Sequence, residues 1–206
     1  MSGTGPLLIR HAESHWNAEG RWQGHGDPPL SDRGVAQANA LASELASEAI
    51  DVIVSSDLRR AAETAAILAS ARGLRPLLNP RLREIDIGAW QGLTRGQIER
   101  TAGDALRRFD GGDLEVRPGG GENLREMQRR AHSAVSELID THPGRRLAIV
   151  THLGVIRALC GESFEFDPGV EAALGNASWR YLARGRLFDS VTGRAAAPIR
   201  LRGTNL

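Results

Sequence analysis

Unbroken apolar triplets and helically spaced apolar residues take turns along this chain. Leu7 to Ile9 is apolar without alternation, the pattern of a short strand buried on both faces. After a loop rich in glycine and proline (20–29), Ser31 stands at a helix start. Val35, Ala38, Leu41, Ala42 and Leu45 follow at helical spacing. "DVIVSS" (51–56) predicts a second buried strand. "DLRRAAETAAILASARG" predicts a helix with Asp57 as cap and Gly73 as stop. "LRPLLN" (74–79) predicts a third strand, and Thr94 caps a short helix in "IGAWQGLTRGQIER". The loop "RPGGGEN" (117–123) opens a long helix from about Asn123 to Thr141. A strand, "RLAIVTH" (146–152), and a helix, "LGVIRALCG", come next, and "SWRYLARGRLFDSV" predicts a hairpin turning at Arg184–Gly185.

Strand and helix alternate three times. The expected fold class is therefore α/β, three layers in the order α/β/α, with one mostly parallel sheet and a single domain spanning 1–206. Composition sharpens this picture by exclusion. The net charge of +1 gives no field for nucleic acid, and no apolar run approaches the ~20 residues of a membrane span. With no secretory leader pattern at the N-terminus, the expected compartment is the cytoplasm. All 26 basic residues are arginine, so Schiff-base chemistry and the lysine-dependent phosphate loop are absent. The lone Cys160 rules out an intrachain disulfide and is expected to be a buried thiol.

Ligands in such a sheet bind at the carboxyl ends of the strands. Three predicted strands end there in Arg10–His11, in Ser55–Ser56 followed by Arg59 and Arg60, and in Thr151–His152 followed by Gly154. Arginine forks suit phosphoryl oxygens and repel metal cations. A neutral histidine among them is a competent nucleophile toward phosphorus, and a nearby carboxylic acid such as Glu84 could protonate a departing alkoxide. His11-x-Glu13-x-His15 also has the spacing of a metal site, but Arg10 beside it argues against a cation. Glu13 is read instead as a partner of an arginine, and His15 as a partly exposed loop residue. His25, His132 and His142 are read as surface residues. Trp16, Trp22 and Trp90 are candidates for the pocket wall or the core, and Glu122 for a cap or a substrate contact.

"RHAESHWN", "GDPPLSDRG", "SSDLRRAAETA", "LREIDIGAWQGLT", "GGGEN" and "VTHLGVIRAL", in this order from residue 7 to about 160, resemble the histidine phosphatase superfamily, with its phosphoglycerate-mutase-like fold. The resemblance implies that His11 is the phosphorylated nucleophile and Glu84 the general acid. Arg10, Arg59 and His152 would form the phosphate pocket, and Arg60 would be solvated or salt-bridged, since adjacent helical residues cannot face one site. Asn17 and the backbone N–H of Leu153 would contact the phosphoryl group, and Gln23 and Gly24 would line the substrate entrance. The family usually has glycine after the nucleophile; here it is Ala12, which is nearly free of cost if φ there is negative.

The implied activity is a metal- and cofactor-independent phosphatase of small phosphorylated metabolites, sugar or glycerate phosphates. "SSDLRRA", "GAWQGLT" and "LGNASW" (174–179) look similar to bacterial sugar-phosphate phosphatases, and "EIDIGAWQG" resembles the phosphatase branch more than the mutase branch. The short segment 85–151, where a lid carrying Arg107, Arg108 and Arg117 would sit, points the same way. A cofactor-dependent phosphoglycerate mutase is the alternative, and a catalytically silent binding protein of the same fold a further one. Nucleic-acid and membrane partners are not expected. The terminal hairpin offers an edge for a homodimer.

Overall fold

The structure, a computed structural model, describes residues 5–161 and 174–182. Its centre is a five-stranded sheet built from β1 (Leu7–Arg10), β2 (Val52–Ser55), β3 (Leu77–Leu78), β4 (Leu147–Thr151) and β5 (Trp179–Tyr181), in the order β3-β2-β4-β1-β5. All neighbours pair in parallel except β5, which runs antiparallel to β1. Helices cover both faces, as expected for parallel strands with no solvated side. They are α1 (His15–Ala18), α2 (Asp32–Glu44), α3 (Arg59–Ser70), α4 (Arg95–Asp110), α5 (Leu124–Thr141) and α6 (Leu153–Cys160).

The register explains the apolar triplets. Leu8, Ile149 and Val54 align across β1, β4 and β2 and join the core beneath α4, α5 and α6. The alternate residues Leu7, Ile9, Ile53, Ala148 and Val150 face the other way, packing with Leu41, Ala61 and Leu68 of α2 and α3. A slip of one residue would exchange these two cores, so the register is firmly set. It also sets the site, because Arg10 pairs with Thr151 and Ser55 with Val150. His11, His152 and Ser56 therefore leave three adjacent strands at one level, tied by His11 N–H to Thr151 O (2.9 Å) and Ser56 N–H to Val150 O (2.9 Å).

Local sequence signals hold at most helix starts. Ser31 caps α2, and Thr94 and Asn123 build reciprocal caps on α4 and α5. α4 is not short: it runs 16 residues, across a non-helical Ala102 beside Gly103. Asp57 does not cap α3. Its carboxylate takes both arms of Arg83 (2.7 and 2.5 Å), and the α3 N-terminus is met instead by Asp27, whose Oδ1 accepts from Arg59 N–H at 2.5 Å. β3 is only two residues long, because Pro76 lacks the N–H to extend it and Asn79 turns to cap the next 3-10 turn. The expected turn at 184–185 lies outside the described residues. No helix of the described residues is long and apolar enough to cross a membrane.

Candidate active site

A cavity of about 260 Å3 opens at the carboxyl end of β1 and β4. Arg10, His11, Asn17, Gln23, Gly24, Glu84 and Leu153 all line it, seven of the nine site residues read from the sequence. His152 lies against His11, its ring centroid 5.1 Å away and the planes tilted by 57°. Arg59 is elsewhere, on the exposed face of α3 and paired with Glu63 at 2.6 Å.

Arg60 takes the place expected of Arg59. Its side chain is 1% exposed, lines the cavity, and donates to the carbonyls of Gly24 and Gly26 at 2.8 Å each. The reason is helical phase. Ala61, Thr64, Ala65 and Leu68 form the buried face of α3, and Arg60 belongs with Thr64 one turn on, as Arg59 belongs with Glu63. Burial lowers the guanidinium of Arg60 to about 10, which leaves it charged at neutral pH.

The hydrogen bonds assign the ring nitrogens. His11 Nδ1 is 2.7 Å from the Ala12 carbonyl, which has no proton to give, so Nδ1–H donates and Nε2 keeps its lone pair. Burial, then the charges of Arg60 and Arg10, hold the His11 pKa well below the ordinary 6.5, so the ring is neutral at physiological pH. His152 is held well below 6.5 for the same reasons, burial first and Arg60 next. Its Nε2 lies 2.9 Å from Ser56 Oγ, which accepts from Leu58 N–H and whose own proton has no other acceptor among the described residues. Ser56 thus makes Nε2 the acceptor and Nδ1 the protonated nitrogen. Nδ1 is buried and has no partner among the described residues.

Glu84 lines the same cavity as His11, on a short connection that is braced from both sides. Its carboxylate accepts from Ile85 N–H (3.0 Å) and Gly154 N–H (3.1 Å). A Cβ at Gly154 would stand 2.4 Å from Glu84 Oε1, so any larger residue there displaces the carboxylate. Arg130 of α5 donates to the carbonyls of Arg81, Arg83 and Glu84 and to both oxygens of Glu122. Glu122 is therefore neither cap nor substrate contact. His25 is not a free surface residue either: its Nε2 sits 2.9 Å from the Glu84 carbonyl.

Other readings resolve plainly. Ala12 is buried and φ there is not positive; among the described residues Ala177 alone of the non-glycines has positive φ. Glu13 accepts from Ser31 and pairs with Arg33, while His15 is exposed, so the His11-x-Glu13-x-His15 side chains part company. Trp90 is core, Trp22 is cavity wall, and Cys160 is buried. Arg107, Arg108 and Arg117 pair with Asp104, Asp113 and Glu126 away from the cavity. Residues the sequence did not single out as wall are Arg21, Ile85, Ile87, Phe109, Leu124 and Arg157.

Comparison with known proteins places the chain in a family. Glucosyl-3-phosphoglycerate phosphatase of Mycobacterium tuberculosis is 36% identical over 203 residues, covering 91% of each chain. Phosphoserine phosphatase 1 of Hydrogenobacter thermophilus is 38% identical, over 74% of this chain and 72% of its own. Phosphoglycerate mutase-like protein 4 of Arabidopsis thaliana is 41% identical, over 74% and 68%. The solved structure of a mycobacterial glucosyl-3-phosphoglycerate phosphatase in complex with VO3 superposes with a TM-score of 0.74 at 36% identity, covering 86% of this chain and 91% of that one. The sequence profile of the histidine phosphatase superfamily, branch 1, matches residues 7–186, and the chain belongs to that superfamily.

Proposed function

We propose that this protein hydrolyses small phosphomonoesters, sugar or glycerate phosphates, without a metal and through a phosphohistidine on His11. The observation that carries the reading is the His11 ring itself: neutral, with Nδ1 bonded to Ala12 and Nε2 free, in a cavity that also holds Arg10, Arg60 and Glu84. Arg10 and Arg60 neutralise the substrate's phosphoryl oxygens, and His152 Nδ1–H, the side-chain amino group of Asn17 and the backbone N–H of Leu153 add donors. His11 Nε2 attacks phosphorus, the bond to the ester oxygen breaks, and Glu84 gives its proton to the departing alkoxide. The Glu84 carboxylate then takes a proton from water, whose oxygen attacks phosphorus and returns neutral His11 and inorganic phosphate.

The rest of the cavity receives the leaving group. Trp22, Phe109, Ile85, Ile87 and Leu124 offer an apolar wall, with Arg21 and Arg157 as cations beyond the pocket's own pair. That mixture suits a sugar or glycerate better than a bare alkyl group. Two of the relatives are named as phosphatases of glucosyl-3-phosphoglycerate and phosphoserine, which supports the substrate class.

A mutase would have to hold a phosphorylated intermediate away from water while it turns round. The arginines of 85–151 that could close over it are engaged in surface pairs instead. The test is a panel of phosphorylated sugars and glycerates in the presence of EDTA. Released inorganic phosphate is expected, with poor interconversion of 3- and 2-phosphoglycerate even after priming with 2,3-bisphosphoglycerate. Rapid primed isomerisation with negligible phosphate release would make the mutase reading correct, and activity lost to EDTA and restored by a metal would end the metal-free mechanism.

A further inference from the structure

The segment Leu174–Ser178 comes back over the nucleophile, and nothing in the chemistry above uses it. Its backbone is bonded to the end of β1 at three points. Arg10 N–H donates to Ser178 O (2.9 Å), Ala177 N–H donates to His11 O (3.1 Å), and Arg10 Nη1 donates to Leu174 O (2.5 Å). Ala177 achieves this with φ of 60°, a left-handed conformation uncommon outside glycine. Such conformations persist where surrounding structure imposes them and concentrate at functional sites.

The side chain of Asn176 adds a more specific connection. Its Nδ2 is 3.2 Å from the His11 carbonyl and 3.3 Å from Asn17 Oδ1. A carbonyl oxygen can only accept, so the amino group of Asn176, not its oxygen, must face His11, and its second proton is then directed to Asn17. The same logic applies one residue further. Asn17 Oδ1 also accepts from Ser14 N–H at 3.1 Å, a donor whose identity is beyond question. With its oxygen held from two sides, Asn17 must turn its amino group the other way. Asn17 lines the cavity, and among the described residues nothing accepts from its Nδ2.

We propose that Asn176 is a positioning residue for phosphoryl binding: by bridging the His11 carbonyl and Asn17 Oδ1, it aims the Asn17 amino group at the phosphoryl oxygens and ties that donor to the backbone of the nucleophile. This rests on the reading of Asn17 as a phosphoryl contact. One rigid bridge then sets the distance between the attacking ring and a donor on the group it attacks, which is where small displacements are most costly. Asn176 touches no substrate atom; it acts through Asn17.

Because it acts through Asn17, the proposal is tested by a double-mutant cycle. Inorganic phosphate affinity, from titration and from competitive inhibition, and kcat/KM for nitrophenyl phosphate are measured in wild type, Asn17→Ala, Asn176→Ala and the double variant. Asn176→Ala is expected to weaken phosphate binding and kcat/KM by about tenfold, the low end for a residue that orients a ligating group. In the Asn17→Ala background the same change should cost less than about twofold. Asn176→Asp keeps the shape but places an acceptor against two acceptors, and serves if the alanine variant does not fold; it should lose phosphate affinity at least as much, again only where Asn17 is present. Equal losses in both backgrounds would make Asn176 a structural residue and overturn the proposal, as would an unchanged phosphate affinity in both single-site Asn176 variants. If Asn17→Ala itself binds phosphate like wild type, the reading of Asn17 fails, and the proposal with it.

Discussion

Replacing Gly154 with alanine should disable the proton donor while leaving the fold standing. The added Cβ would meet Glu84 Oε1 at 2.4 Å and its Cδ at 3.3 Å, with Met127 Sδ at an ordinary 3.5 Å. The backbone at residue 154 belongs to the first turn of α6 and is fixed by the strand before it, so the carboxylate has to yield. To reach normal separation Oε1 must withdraw by about 1 Å. That breaks its bond from Ile85 N–H, and the Oε2 bond from Gly154 N–H as well if the group rotates. A misplacement of about 1 Å in a catalytic group costs about a hundredfold in rate, or about 2.7 kcal/mol of barrier.

Stability should change much less. A weakened hydrogen bond to the carboxylate, about 1.5–3 kcal/mol, is partly offset by the roughly 1 kcal/mol that alanine gains over glycine in a helix. The assay compares kcat on a nitrophenyl phosphate, whose leaving group needs little proton, with kcat on a glycerol or sugar phosphate, whose leaving group needs one. The account expects a loss of about a hundredfold on the alkyl ester, a much smaller one on the nitrophenyl ester, and a melting temperature within a few degrees of wild type. Full activity on both esters, or equal loss on both, would refute the placement of Glu84 as the acid held by Gly154.

Two further outcomes follow from the arginines and histidines of the pocket. Arg60→Ala should lower kcat/KM by on the order of a thousandfold, as expected for an arginine on a transferring phosphoryl group, while Arg59→Ala, which removes a surface pair, should change it by less than about twofold; the reverse ranking in nitrophenyl phosphate kinetics would return Arg59 to the site. The pKa of His11 and of His152 is depressed in the folded state relative to the ordinary 6.5, so below that pH the unfolded chain binds protons that the native chain refuses. Stability from these groups is therefore intact above 6.5 and falls as pH drops toward their folded values, by up to about 1.4 kcal/mol per pH unit per histidine. Thermal melts from pH 8 to 5 should show this decline, and a shallower one in His11→Asn; a flat profile, or the same slope in both proteins, would contradict the buried neutral rings.

Much of this site was legible because its residues sit where a strand ends. The triplets before His11, Ser56 and His152 each predict a buried parallel strand, and parallel strands bring their carboxyl ends together. What the sequence hid was mostly rotational. Arg59 and Arg60 are indistinguishable as letters, and the choice between them required the phase of α3. That phase was written in Ala61, Ala65 and Leu68, which put Arg60 on the inner face. Asp57 looked like a cap by local rule, but a residue from the loop before α2, Asp27, reached that helix end first and freed Asp57 for Arg83.

The support of Glu84 had no sequence signal at all. Arg130 is one of several arginines on α5, and only the packing of that helix beside residues 81–84 shows that its guanidinium holds their carbonyls. Asn176 was similarly mute: "LGNASW" looked like a family pattern, and its geometry over His11 depends on a left-handed Ala177 that alanine does not announce.

The central claim is that phosphate passes through His11. It is tested by mixing the enzyme with a phosphomonoester labelled in its phosphoryl group, quenching within the first turnover, and mapping the label. The account predicts an acid-labile, alkali-stable phosphohistidine confined to the peptide that carries His11, formed before inorganic phosphate appears and absent in His11→Ala. Label on any other residue, or phosphate released at the full rate with no phosphoenzyme formed, would contradict it.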